Sequence, residues 1–341
     1  MVLWSVVGFH LMRRYLALFA VVLVLGGAGG ALYLWRGDPR GRVEALCREA
    51  EACLRQGDPD RALAAYRRAM EADPERGEAL AGAGRIQLSR RLFHEAVAYL
   101  RRAAALRGAE ARTWMDLGRA LRESGAREEA VAACRRAAEL APNRGEVMIE
   151  LGRALAAQGR SEEALRAYRR AEALGPEDAE AHAEVGRLYA QMGEADSAAA
   201  GLLRAAMRRP GDAGLLCDLG EVSLRGGQVE EAIVYFEGAL RRDPRLARAR
   251  YLLGRAYVRA GREEEGRREL EAFARQGRHA GRIEMLEKAM AERPTAEGYM
   301  ELARLHADLG QDSLAAVYLT RATGLDPMKA APQEVERMGR W

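Results

Sequence analysis

The sequence predicts an all-α chain of about eight helix-turn-helix repeats preceded by one membrane-spanning helix. Three observations carry that expectation. Alanine, leucine, arginine and glutamate dominate while aromatic residues make up 6%, a mixture that favours helices over a β-sandwich. A pattern of small and apolar residues recurs every 34 residues from Val43 onward. One stretch of 21 residues near the amino end carries no charge.

Residues 1–14 read as an amino-terminal tail, 15–35 as the membrane helix and 36–42 as a linker. At about 1.5 Å per residue, Tyr15 to Trp35 is long enough to cross a hydrocarbon core as a helix. Arg13 and Arg14 flank one end and Arg36 the other, with Tyr15, Tyr33 and Trp35 at the edges, where amphipathic rings favour the headgroup zone. A cleaved signal peptide is the alternative, because Gly26, Gly27, Ala28, Gly29, Gly30 and Ala31 offer small residues for cleavage. The apolar run continues through Leu32, Tyr33, Leu34 and Trp35, which favours an uncleaved anchor. Met12-Arg13-Arg14 before the run makes a signal-type start by itself, so residues 1–11 read as a mis-start or an extra tail. Gly26 and Gly30 form a G-x-x-x-G, weak evidence of helix pairing in so glycine-rich a run. The flanking charges are nearly balanced, and the extracytoplasmic side of a bacterial inner membrane is carried forward as the expected location of the repeats.

Charge separates the two regions. The net charge is +4, and residues 1–42 hold five arginines against Asp38 alone. The other 299 residues carry 49 basic and 49 acidic side chains. Bulk attraction of the repeats to nucleic acid is therefore not expected.

The repeat is read from four columns. Ala83-Gly84, Leu117-Gly118, Leu151-Gly152, Val185-Gly186, Leu219-Gly220 and Leu253-Gly254 form the first. Ala62, Ala96, Ala130, Ala164, Ala198 and Ala232 form the second, and Ala69, Ala103, Ala137, Ala171, Ala205 and Ala239 the third. Pro74, Pro142, Pro176, Pro210 and Pro244 form the fourth, with Gly108 once in place of proline. Within residues 111–144, Trp114, Leu117, Gly118 and Leu121 share one face of a first helix that Gly125 ends. Glu128 and Glu129 open a second helix, where acids complement the macrodipole; Ala130, Cys134, Ala137 and Leu140 make its buried stripe, and Pro142 stops it. Gly118 and Ala130 are small because two helices approach closely there. Neither helix buries its stripe alone, so successive units must stack.

This pattern resembles the tetratricopeptide repeat, W-x2-L-G-x2-Y, then A-x3-F, A and P, here Trp114-x2-Leu117-Gly118-x2-Leu121, Ala130-x3-Cys134, Ala137 and Pro142. The resemblance covers 43–280 as seven units, and an eighth unit fits 296–329 through Tyr299, Leu302, Ala303, Gly310, Ala315, Leu319, Ala322 and Pro327, leaving 330–341 as a tail. It implies a right-handed superhelix, an α-solenoid, that binds protein segments in a concave groove lined by the first helices. The eighth unit starts 49 residues after the seventh, so residues 281–295 read as a helical insertion with an apolar stripe of Ile283, Leu286 and Met290. Gly266 and Phe273 stand where close-packed alanines are expected. The preferred reading of the insertion is a continuation of the preceding helix, broken near Gly277 or Gly281.

One column on the first helices carries the site expectation: Arg85, Arg119, Arg153, Arg187, Arg255 and Arg304, with Glu221 interrupting. Guanidinium groups in a ladder suit acidic or carboxylate-bearing peptides. Three residues earlier stand Asp116, Glu150, Glu184 and Glu301, so each arginine also has a candidate partner on its own helix, and a self-neutralised lining is the competing reading. Relatives that clamp a carboxylate terminus use Lys and Asn on these helices, whereas Asn143 is the only asparagine here. The second helices carry Arg67-Arg68, Arg101-Arg102, Arg135-Arg136 and Arg169-Arg170, read as solvated cations balancing Glu128, Glu129, Glu162 and Glu163 in preference to contacts with anionic lipid.

Catalysis is not expected. His10, His94, His182, His279 and His306 are never paired at metal spacing, and no nucleophile-elbow, Walker or dinucleotide motif occurs. Cys47, Cys53, Cys134 and Cys217 include no C-x-x-C and read as small buried thiols, with Cys47 and Cys53 on different sides of one helix. The sequence thus predicts a membrane-anchored scaffold with protein or peptide partners, no cofactor and an open oligomeric state. The alternative is an exported soluble structural or secretion-accessory protein.

Overall fold

The computed structural model describes residues 39–326. The predicted membrane helix 15–35, the tails 1–14 and 330–341, residues 36–38 of the linker and 327–329 of the eighth unit lie outside the described residues. Among the described residues there are sixteen α-helices and no strand, and no helix is long and apolar enough to cross a membrane. The chain divides into two compact units, Met1–Ala167 and Tyr168–Trp341.

The first unit holds α1 (Pro39–Arg55), α2 (Pro59–Ala72), α3 (Gly77–Ser89), α4 (Phe93–Ala105), α5 (Ala111–Glu123), α6 (Arg127–Leu140), α7 (Gly145–Ala157) and the start of α8 (Ser161–Leu174). Helix begins at Pro39 inside the expected linker, which proline permits because a first-turn N–H has no intrahelical partner. Helices α1, α3 and α5 each pair with their successors, and α5 also touches α3 and α7. Cys47 and Cys53 are both buried in α1, and both thiols are free.

The second unit continues with α9 (Ala179–Met192), α10 (Ala195–Arg208), α11 (Ala213–Arg225), α12 (Val229–Arg242), α13 (Ala247–Arg259), α14 (Glu263–Glu292), α15 (Ala296–Asp308) and α16 (Asp312–Leu325). Here α9, α11 and α13 touch in the same way. Asp178, Asp212 and Thr295 cap their helices by accepting from Glu180 N at 2.9 Å, Gly214 N at 2.9 Å and Gly298 N at 3.1 Å.

The alanine columns are the contact surfaces of the pairs. Ala62, Ala96, Ala130, Ala164, Ala198 and Ala232 are wholly buried. The glycine column accepts a larger side chain from the second helix: a Cβ on Gly118 would meet Cys134 Sγ, and one on Gly220 would meet Phe236. Between α9 and α10 the approach is backbone to backbone, since a Cβ on Gly201 would lie 2.9 Å from Gly186 Cα. The turns inside the pairs use left-handed glycines with φ of 66–90° at Gly57, Gly125, Gly159, Gly193, Gly227, Gly261 and Gly310. Arg91 fills that register once, with φ 62°.

The long helix α14 corrects one expectation. It runs through Gly277 and Gly281 without the predicted break. Its far half is fixed by burial of Ile283, Leu286 and Met290 against Leu302, with Tyr299, Leu305 and Tyr318 packed around them. That burial outweighs the helix cost of about 1 kcal/mol for each glycine.

Candidate partner-binding face

In the first unit, the repeat stacking brings Arg119 and Arg153 onto one carboxylate. Arg119 of α5 donates from Nε and Nη2 to Glu150 Oε1 at 3.2 and 2.7 Å, and Arg153 Nη1 donates to the same oxygen at 2.7 Å. Arg122 stands 3.8 Å from Oε2. Glu150 is 2% exposed, yet the Arg119 side chain keeps 40% of its surface in solvent. Burial raises the Glu150 pKa, but the hydrogen bond and charge of Arg119, with Arg153, hold it below the usual carboxylate range. Arg85 lines the same open cleft as Asp116 and Arg119, a space of about 430 Å³. Asp116 is buried and its Oδ2 accepts no hydrogen bond among the described residues. Burial therefore pushes its pKa up, against the opposing charges of Arg85 and Arg119.

The second unit repeats the arrangement. Arg187 Nε donates to Asp218 Oδ2 at 2.7 Å and its Nη1 to Glu184 Oε1 at 3.0 Å. Arg248 Nη1 donates to Asp218 Oδ1 at 2.7 Å, while its Nη2 pairs with Glu221. Asp218 is buried and Arg187 and Arg248 stand above it, 40% and 53% exposed. Arg255 and Arg304 are exposed; Arg255 lies over the Tyr251 ring at 5.7 Å, and Arg304 acts electrostatically on Glu301, which Arg282 Nε binds at 2.7 Å.

The predicted column thus separates into members with different roles. Pairing within one helix is present for Glu150–Arg153 and Glu184–Arg187. Pairing between successive repeats, Arg119 to Glu150 and Arg187 to Asp218, went unpredicted. So did Arg248; its signal is the register it shares with Arg112 in the first turn of a first helix. The second-helix pairs follow the same rule: Arg101 binds Glu129 at 2.7 Å and Arg135 binds Glu163 at 3.4 Å, acids of the next repeat instead of the same helix.

Among the described residues, no group of three His, Cys, Asp or Glu residues is placed to hold a metal ion. Burial pushes Cys47 and Cys217 up to about 11 and Cys134 to about 12, so these thiols stay protonated at neutral pH. His182 sits at 8% exposure with Nδ1 2.6 Å from Glu172 Oε1 and Nε2 3.0 Å from the Pro176 carbonyl, tying the end of α8 to the start of α9.

Family models described as tetratricopeptide repeat match residues 47–108, 83–144, 223–282 and 296–327, and one described as TPR repeat matches 152–193. A comparison with curated proteins returns no match. Among solved structures, PilW, described as a widely conserved type IV pilus biogenesis factor, is 19% identical with a TM-score of 0.57, covering 62% of this chain and 98% of that one. The human IFIT1 dimer with PPP-AAAA is 19% identical at a TM-score of 0.56, covering 83% and 72%. The Cut9–Hcn1 hetero-tetramer of the APC/C is 18% identical at 0.51, covering 78% and 49%. At these identities the likeness concerns the fold. The column spacing, the helix pairs and the family matches agree: the helix pairs of both units are tetratricopeptide repeats.

Proposed function

We propose that the protein is a membrane-anchored scaffold whose repeats hold acidic segments of partner proteins along the first helices. One observation carries this reading. In each unit the acids are buried and the arginines stand above them, as with Glu150 beneath Arg119 and Asp218 beneath Arg187. The first-helix face therefore presents guanidinium edges to solvent although the local charge is nearly balanced. Arg119 spends Nε and Nη2 on Glu150, and Arg187 spends Nε on Asp218 and Nη1 on Glu184, which leaves one terminal nitrogen of each for a partner. Arg255 and Arg304 are the more exposed members. Replacing both by glutamate tests the face without disturbing a buried acid: capture of the partner from solubilised membranes should fall at least about tenfold. Undiminished capture contradicts the reading.

Residues 15–35 are the proposed anchor in a bacterial inner membrane, with the repeats on the extracytoplasmic side; the uncharged run between Arg14 and Arg36 supports it. Retention in carbonate-washed membranes tests the anchor and protease accessibility tests the side. The small residues Gly26 to Ala31 favour a second reading, an exported soluble protein after cleavage, and release by carbonate together with a shortened amino terminus would establish it.

A further inference from the structure

The insertion that lengthens α14 also opens a cleft in the second unit. Helices α9, α11, α13 and α15 each pack on their successors, and α15 with α16 also meets the far half of α14, with Arg282 on Glu301 and Tyr318 bonded to Glu287 at 2.7 Å. The near half of α14 serves α13 through Arg250–Glu269 at 3.2 Å and the Tyr251–Phe273 ring pair at 5.3 Å. Both helices run antiparallel to α14, so the start of α13 and the end of α15 face each other along it. The space between them is about 540 Å³, walled by Arg245, Arg250, Arg275 and His279, with Asp308 the single acid and Leu309 beside it.

The cations that wall the cleft differ in their pairing. Arg250 is occupied by Glu269 and the Pro244 carbonyl. Arg245 lies 3.9 Å from the exposed Asp243, while its carbonyl is held by Gln276 at 2.6 Å, which fixes that rim. Arg275 and His279 make no hydrogen bond or ion pair among the described residues. Unlike Arg119 or Arg187, neither has an acid beneath it. From this we infer that the cleft is a second binding site, separate from the first-helix face, and that it takes an acidic peptide segment. Arg275 supplies a forked donor for a side-chain carboxylate, Arg245 supplies positive charge and His279 a ring N–H on either side, and Leu309 with Ala272 gives an apolar floor. A nucleic acid is the weaker occupant because the 299 residues beyond position 42 carry no net charge to draw one in.

The test is fluorescence anisotropy of a short fluorescein-labelled oligoglutamate peptide with the full-length protein. Saturable binding is expected, weakened about tenfold by Arg275→Glu together with His279→Glu and less by Arg275→Gln. Neither residue is bonded in the fold, and an unchanged circular-dichroism melt checks that the variants fold. Arg255→Glu with Arg304→Glu should remove only the share of binding held on the first-helix face and leave the Arg275-dependent share intact, which separates failure of this site from failure of that face. Absence of saturable binding, equal binding by the double variant, or stronger displacement by single-stranded RNA than by unlabelled peptide would each overturn the inference.

Discussion

Arg119 and Glu150 stand 31 positions apart and meet across successive repeats, two guanidinium nitrogens donating to one carboxylate oxygen at 3.2 and 2.7 Å. Arg153, from the helix of Glu150 itself, reaches the same oxygen at 2.7 Å. The carboxylate thus couples one repeat to the next. Removing it leaves two half-buried cations without their shared partner. Glu150→Gln is expected to cost about 2 kcal/mol at neutral pH, read from urea denaturation. Because the folded-state pKa of Glu150 is lowered, its contribution is present above the ordinary glutamate range and is lost as pH falls through the folded value. The variant should therefore show a flatter acid limb than the parent; an unchanged limb would count against the pairing.

Asp116, one repeat earlier in the same register, should behave with the opposite sign. Its folded-state pKa is raised by burial, so its charged form weighs against folding above that value and protonation relieves the cost as pH falls. Asp116→Asn is expected to leave stability unchanged or raise it by up to about 1 kcal/mol at neutral pH. A loss comparable to that of Glu150→Gln would show that Asp116 is bonded in solution.

Gly186 and Gly201 test the closest helix approach. A Cβ on Gly186 would lie 2.8 Å from Leu202 N and 3.0 Å from the Ala198 carbonyl oxygen, backbone atoms that no rotamer change can move. Gly186→Ala should lower stability by about 1–3 kcal/mol in a thermal or urea melt. A neutral substitution would mean that α9 and α10 are further apart than described.

Gly277 and Gly281 are the contrasting case, for nothing lies within 4 Å of a Cβ at either position. If α14 is one continuous helix, alanine at each should stabilise by about 0.5–1 kcal/mol. Destabilisation, or a partner-binding defect without a change in the melt, would point to the hinge that the helix does not show.

Much of this fold is legible in the sequence because the period is fixed. The alanine at 62 and its equivalents up to 232 are wholly buried, as their spacing requires. The pairing of Glu150 with Arg153 is also legible, since three residues on one helix set the distance. The bond from Arg119 is harder to read. It depends on how far one first helix is displaced on the next, a tertiary quantity, although 31 is the 34-residue period less the same three residues. Gly277 and Gly281 suggest a break because glycine propensity is a local cost, while the burial that overrides it comes from Leu302 and Tyr299 in the following helix. Arg91 stands where every comparable turn uses glycine, and its left-handed φ of 62° follows from register rather than from residue type.

Photo-cross-linking on native membranes tests the central claim most directly. A photoreactive residue is placed at Arg255 or Arg304 on first helices, and at Arg136 or Arg208 on second helices as exposed controls. If the first-helix arginines hold the partner, positions 255 and 304 should give the cross-linked adduct and positions 136 and 208 should not. Adducts confined to positions 136 and 208 would place the partner on the other face and contradict the account.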